Sequence, residues 1–169
     1  MIRVEAVSKH FGGVKAVDNA TLSIEKGSIT GLIGPNGAGK TTYFNLISGQ
    51  LAASSGKVHK GSTDITALSP SSRARLGVGR AFQLTNLFPQ LTVLENIRLA
   101  VQARAGAGWG LLRPAHRLLE LKASAEKYLE AAQLTDKAYL PASALPHGDQ
   151  RKLEVALLMA MEPDIYMFD

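Results

Sequence analysis

The 169-residue chain is 46% hydrophobic and 20% charged with a formal net charge of +5. That is enough apolar material for a real core, and the basic residues are dispersed rather than gathered in a tract, which argues against a direct nucleic-acid role. It contains no cysteine, so disulfides and thiolate metal sites are excluded. The longest apolar helical run, residues 155–161, falls far short of a bilayer span, and the opening residues show no apolar leader, so work at a membrane requires a partner to hold the chain there.

Ile2, Val4 and Ala6 alternate with Arg3 and Glu5, the pattern of a half-buried strand, which residues 8–13 then break. A second run, residues 20–25, ends at Lys26-Gly27, a hairpin-like turn. Residues 28–33 are short, apolar and β-branched and predict a further strand leading into Gly34-Pro35-Asn36-Gly37-Ala38-Gly39-Lys40-Thr41-Thr42. This stretch fits G-x-x-x-x-G-K-[ST] in full, and a helix-like run follows it, the context that gives the motif its meaning. Gly34, Gly37 and Gly39 permit positive φ and close backbone approach, so successive N–H groups and the start of the helix converge on a polyphosphate. Lys40 adds a point charge for the outer phosphates, and the Thr41 hydroxyl is placed to ligate Mg²⁺. The first third therefore reads as antiparallel strands at the edge of a nucleotide-binding core.

Gly49 closes the helix, and residues 54–58 are a turn into another short strand. After the polar segment 69–72, residues 78–82 read as a strand ending at Gln83. There the period changes. Thr92 and Glu95 form a capping box that opens a helix with Leu94, Ile97 and Val101 on one face. Residues 92–160 read as helical, interrupted by the glycines around Trp109. A new helix follows Pro114, with Leu118, Leu121, Ala125, Tyr128 and Ala132 at three- and four-residue spacing. Trp109, Leu111 and Leu112 read equally as a loop or as a partner-contact surface. Pro141 and Pro146 frame a second loop, and a last helix runs from about 149 to 161. Residues 165–169 are apolar up to Asp169, as expected of a strand buried on both faces with a carboxylate at its ligand-facing end. Paired with an upstream phosphate loop, Asp169 becomes the acid that holds Mg²⁺ or its water shell opposite Thr41.

Leu145-Pro146-His147-Gly148-Asp149-Gln150-Arg151 stands directly before a helix, so its backbone N–H groups and the helix's positive end could face an anion. With the phosphate loop upstream and the strand-end Asp downstream, the chain here resembles the ATP-binding subunits of ABC transporters, in which a Leu-Ser-Gly-Gly-Gln signature occupies this place. Phe11-Gly12-Gly13, the segment Asn86-Leu87-Phe88-Pro89 with Thr92-Val93-Leu94-Glu95-Asn96, and Arg151-Lys152-Leu153-Glu154 resemble the LivG-type subunits of branched-chain amino acid importers.

The resemblance implies a set of roles. Gly34, Pro35, Asn36, Gly37, Ala38, Gly39, Lys40, Thr41 and Thr42 bind the phosphates of ATP and its Mg²⁺, with Lys40, Gln83 and Asp169 as catalytic residues and Thr41, Gln83 and Asp169 at the metal. Phe11 stacks on adenine. Leu145, His147, Gly148, Asp149 and Gln150 bind the γ-phosphate of ATP held by a second ATP-binding subunit. Gln83 also contacts the transmembrane permease subunits, which a periplasmic or extracellular solute-binding protein serves, and the subunit sits at the cytoplasmic face of the membrane. The sequence departs from the signature where Pro146 replaces the Ser whose hydroxyl points at the phosphate and where His147 and Asp149 replace Gly and Gln. The family's Glu after the strand-end Asp and its distal His are not in these residues, so the chain reads as a fragment that binds ATP with negligible turnover.

The expected fold is α/β, a P-loop NTPase of the ABC type. Its nucleotide-binding core spans 1–85 plus 159–169 with an antiparallel β subdomain, and a helical subdomain spans 86–158. The alternatives are a soluble non-transport ABC-type ATPase, which would need coiled-coil insertions or tandem cassettes, and a non-hydrolytic nucleotide-binding module. A GTPase would show Asn-Lys-x-Asp, which is absent.

Overall fold

The computed structural model of the protein describes residues 1–81, 87–106 and 115–168, and within them the side chains of all but residues 81 and 115–118. Gln83, Asn86, Trp109, Leu111, Leu112, Pro114, Asp169 and the Leu118 side chain lie outside the described residues. The chain divides into two compact units, Met1–Val78 and Gly79–Phe168.

The first unit is built on a four-stranded antiparallel sheet of order β2-β1-β3-β4, from β1 (Ile2–Phe11), β2 (Val14–Ile24), β3 (Ser55–Lys60) and β4 (Thr63–Asp64). Ile2 and Val4 are buried and Arg3 is exposed, as alternation requires. Ala6 departs from the expected pattern. It has φ +48 and is exposed, its N–H donates to Thr21 Oγ1 at 3.0 Å, and the register shifts between Val4 and Val7 so that Val7 takes the buried face. An extra residue in one strand resets the side-chain period, which a pattern of twos cannot foresee. The bulge presses on β3: a Cβ on Gly56, itself at φ +87, would lie 2.4 Å from the Ala6 carbonyl oxygen.

The expected break at residues 8–13 is also smaller than predicted. β1 continues to Phe11, opposite Val14, and only Gly12 and Gly13 form the turn, with Gly12 at φ +57. The predicted strand at 28–33 is not realised. No described strand pairs with it, and Ile29 and Ile33 are 102% and 95% exposed. An apolar β-branched run is a strand only where a neighbouring strand takes up its hydrogen bonds. The helices α1 (Lys40–Ser48) and α2 (Pro70–Arg75) complete the unit.

The second unit contains β5 (Val78–Ala81, beginning at the last residue of the first unit), α3 (Val93–Arg104), α4 (Ala115–Ala131), the short 3-10 turns Thr135–Lys137 and Ala142–Ala144, α5 (His147–Ala160) and β6 (Ile165–Phe168). β5 and β6 pair as a two-stranded sheet. Only Met167 of β6 is buried, so the strand expected to be covered on both faces is half-covered here. The helices enclose one apolar core that includes Val93, Ile97, Ala125, Leu129, Leu134, Leu153 and Ala156. Each fully buried large aliphatic contributes about 1.5–3 kcal/mol relative to exposure. Leu94, Ile97, Val101, Leu121 and Ala125 are buried as their spacing predicts, with Tyr128 and Ala132 against the edge of the core. Thr92 caps α3 by accepting from the Glu95 N–H at 3.2 Å, half of the expected box, while the Glu95 carboxylate accepts from Arg98. Buried Asn96 accepts from Phe88 N–H at 2.9 Å and donates to the carbonyls of Phe88, Leu91 and Thr92, tying the entry loop to the helix.

Candidate functional site

The turn at 34–42 is built around Gly39. It holds φ +83 at the N-cap of α1, and a Cβ there would sit 2.2 Å from the Ala16 carbonyl oxygen of β2. Only glycine satisfies both the left-handed backbone and that approach. Gly37 is likewise left-handed at φ +82, and the Ala38 N–H donates to Pro35 O at 3.3 Å, closing the turn. The helix ladder begins with Tyr43 N–H to Gly39 O at 2.8 Å. The amides of Lys40, Thr41 and Thr42 precede that first bond, and among the described residues none accepts from them. No acidic residue lies in the first turn of α1, so these donors and the positive end of the helix suit an anion without competition from that turn's own side chains. Lys40 Nζ donates to the carbonyls of Gly34 and Pro35 at 2.7 Å each, which folds the ammonium over the loop. The Thr41 side chain is exposed at the mouth of the turn.

These features fit a polyphosphate with a divalent cation: a concave run of donors, a mobile-stemmed cation and a hydroxyl at the rim. No group of three or more His, Cys, Asp or Glu able to hold a metal by itself occurs among the described residues.

Phe11 is half-exposed at the end of β1 and pairs with Val14, one pleat repeat from Ala16. Two residues of strand span about 7 Å, so Phe11 and the backbone that Gly39 meets lie within a short stretch of one hairpin. Lys9 covers one face of it, with Nζ 5.2 Å from the ring centroid and donating to Ala52 O at 2.8 Å. Phe11 remains 49% exposed beside that lysine.

In the second unit, Pro146 is the N-cap of α5, without a side-chain cap, and its carbonyl accepts from both Asp149 and Gln150 N–H at 2.9 Å. His147 and Gly148 are exposed at the helix start. Leu145 is buried in the helical core, and the Gln150 side chain donates back to Leu145 O at 2.9 Å. The Asp149 carboxylate is engaged by Lys137 Nζ at 2.5 Å and Lys152 Nζ at 3.1 Å. The hydrogen bond from Lys137, then that from Lys152, holds its carboxyl below the usual range. Of the predicted signature residues, His147 and Gly148 are exposed, while Leu145, Asp149 and Gln150 also make contacts within the unit. Gln83 and Asp169 fall outside the described residues.

Sequence reading passed over Lys9, Lys137 and Arg73. Lys9 had a signal, since it lies two residues before Phe11 and so on the same face of a strand. Lys137 and Arg73 are joined to Asp149 and to α1 across chain separations with no local pattern.

A family model described as ABC transporter matches residues 17–169. The chain is 39% identical over 174 aligned positions to the high-affinity branched-chain amino acid transport ATP-binding protein LivG of Salmonella typhimurium, covering 100% of this chain and 68% of that protein. It is 36% identical to the high-affinity branched-chain amino acid transport ATP-binding protein BraF of Pseudomonas aeruginosa, again over 100% of this chain and 68% of the relative. Among solved structures, a dimeric ATP-binding cassette in a post-hydrolysis state with ADP and Pi superposes with a TM-score of 0.82 at 27% identity, covering 100% of this chain and 73% of that one.

Proposed function

The chain belongs to the ABC transporter family, and from that premise we propose that it is the ATP-binding part of an importer that couples ATP binding and hydrolysis to uptake of branched-chain or other hydrophobic amino acids. The observation that carries the reading is the loop at 34–42: a glycine forced into the left-handed region against Ala16 O, opening a helix whose first amides are free of carboxylate competition. Identity to LivG and BraF supports the choice of solute class.

In this reading the amides of the loop and of the first turn of α1 bind the phosphates. Lys40 exchanges its two carbonyl partners for the outer phosphate oxygens, and the exposed Phe11 takes the base. Mg²⁺, held by Thr41 together with Gln83 and Asp169, would offset charge building on the phosphate oxygens during transfer to water. His147 and Gly148 present the start of α5 to nucleotide bound on a second ATP-binding subunit, a role supported by the dimeric form of the solved relative. We assign a nucleotide-binding core to 1–85 plus 159–169 and a helical subdomain to 86–158, the latter supported by the closed apolar core of α3, α4 and α5. Gln83 and the helical subdomain carry the coupling to permease subunits and, through them, to a solute-binding protein. No described helix is long and apolar enough to cross a membrane, and the subunit is assigned to the cytoplasmic face through those partners.

The test is ATP affinity in Lys40→Ala. Losing a charge-assisted contact to phosphate should weaken binding roughly ten- to hundredfold; unchanged affinity, measured by titration calorimetry, would refute the reading.

A further inference from the structure

Arg73, on α2, is 2% exposed, and all of its hydrogen bonds go to backbone carbonyls. Nη1 donates to Leu46 O at 2.6 Å and Ile47 O at 2.7 Å, Nη2 to Thr66 O at 2.7 Å, and Nε to Leu68 O at 3.2 Å. Leu46 and Ile47 lie in the last turn of α1, where helix carbonyls have no intrahelical partner. Another carbonyl of that end, Asn45 O, accepts from Leu51 N–H at 3.1 Å and from the Ser48 hydroxyl at 3.3 Å. Gly49 is fitted to the arrangement, because a Cβ there would lie 2.8 Å from Arg73 Nε. Among the described residues no carboxylate is within salt-bridge distance of this guanidinium. Asp64 acts on it through space only, its carboxylate accepting instead from the Thr66 N–H and hydroxyl at 2.9 and 2.6 Å.

The helix so clamped is the one whose other end forms the phosphate loop, and at about 1.5 Å per residue the two ends are roughly 13 Å apart. An anion at the N-terminus is attracted by the positive end of the helix and repelled, more weakly, by the negative end. A buried cation seated on the terminal carbonyls cancels the repulsive end and adds its own field through protein rather than water.

We infer that Arg73 is a positioning residue for polyphosphate binding, anchoring the far end of α1 and biasing that helix electrostatically toward anions in proportion to their charge. The inference rests on the phosphate loop binding ATP as proposed above. It predicts a signature that lost packing alone does not give: the effect grows with the number of phosphates.

The experiment measures the dissociation constants of AMP, ADP and ATP in metal-free buffer, for the wild-type protein and Arg73→Met, Arg73→Lys, Asp64→Asn and Lys40→Ala. Arg73→Met should weaken ATP about fivefold, ADP about threefold and AMP less than twofold. Arg73→Lys, which keeps the charge but not the fork, should restore the ATP-to-AMP ratio to within twofold of wild type. Asp64→Asn keeps an oxygen for Thr66 while removing the opposing charge, and should tighten ATP about twofold relative to AMP. Equal loss for all three nucleotides in Arg73→Met, or no loss, overturns the inference. Should that variant not fold, an unchanged ATP-to-AMP ratio in Asp64→Asn overturns it instead. Lys40→Ala separates the premises: if it leaves ATP affinity intact, the phosphate-loop reading fails, whereas a loss there beside a flat series at Arg73 removes only the role of Arg73.

Discussion

The two units of this chain satisfy their polar groups in opposite ways. In the helical unit the side chains of Asp149, Gln150 and Asn96 are engaged within the unit: Asp149 by Lys137 and Lys152, Gln150 by the Leu145 carbonyl, Asn96 by the loop that precedes its helix. In the sheet unit the first amides of α1 have no protein acceptor among the described residues, and Lys40 is held only by two exposed carbonyls of its own loop. A region that closes its own hydrogen bonds can be stable without a ligand. One that leaves donors converging on an exposed turn gains most when an anion arrives.

The contrast is breakable by substitution, and the largest effect is expected in the helical core. Leu153 is fully buried there, so Leu153→Ala should destabilise that unit by about 2–5 kcal/mol, read by chemical denaturation, while ATP affinity of the intact protein in buffer changes little. Comparable losses in both readouts would mean that the units do not act separately. Gly39→Ala should do the reverse. Its Cβ meets the Ala16 carbonyl in a backbone region that costs alanine about 1–2 kcal/mol on its own, and ATP affinity should fall at least tenfold with the helical unit's unfolding unchanged.

Smaller still is Thr92→Ala, which deletes the N-cap of α3 and should cost about 1 kcal/mol of helical-unit stability by the same denaturation measurement. The mildest test is pH. Because its lysine partners depress the folded carboxyl of Asp149, its contribution is present above the ordinary aspartate range and is lost as pH falls through the depressed value. Melting temperature should therefore drop on acidification from about pH 5, and Asp149→Asn should flatten that slope; an identical slope in the variant would show that the ion pair is not what the acid removes.

Much of this arrangement was legible in local residue order. The glycine-lysine-threonine spacing of the loop, the Gly49 cap at φ +83, and the helical faces of α3 and α4 each follow from a period or a backbone requirement contained within a few residues. Three features were not. The bulge at Ala6 shifts the period by one and announces itself only through φ and the pressure on Gly56. Residues 28–33 carry strand composition without a strand partner among the described residues, and pairing is a property of the neighbour as much as of the run. Arg73 follows the polar segment 69–72 with no local sign of burial, yet it is buried with its guanidinium on carbonyls distant in sequence. For the signature, sequence order located the helix start. The Lys137 partner of Asp149 had no local signal, since it lies twelve residues upstream.

The seating of Gly39 against the Ala16 carbonyl reaches beyond the glycine itself. Ala16 and Val14 lie on one strand, and Val14 pairs across to Phe11. The turn proposed to bind phosphate and the ring proposed to bind the base are thus carried by one hairpin, like the two jaws of a caliper whose spacing is fixed by strand pairing rather than by the ligand.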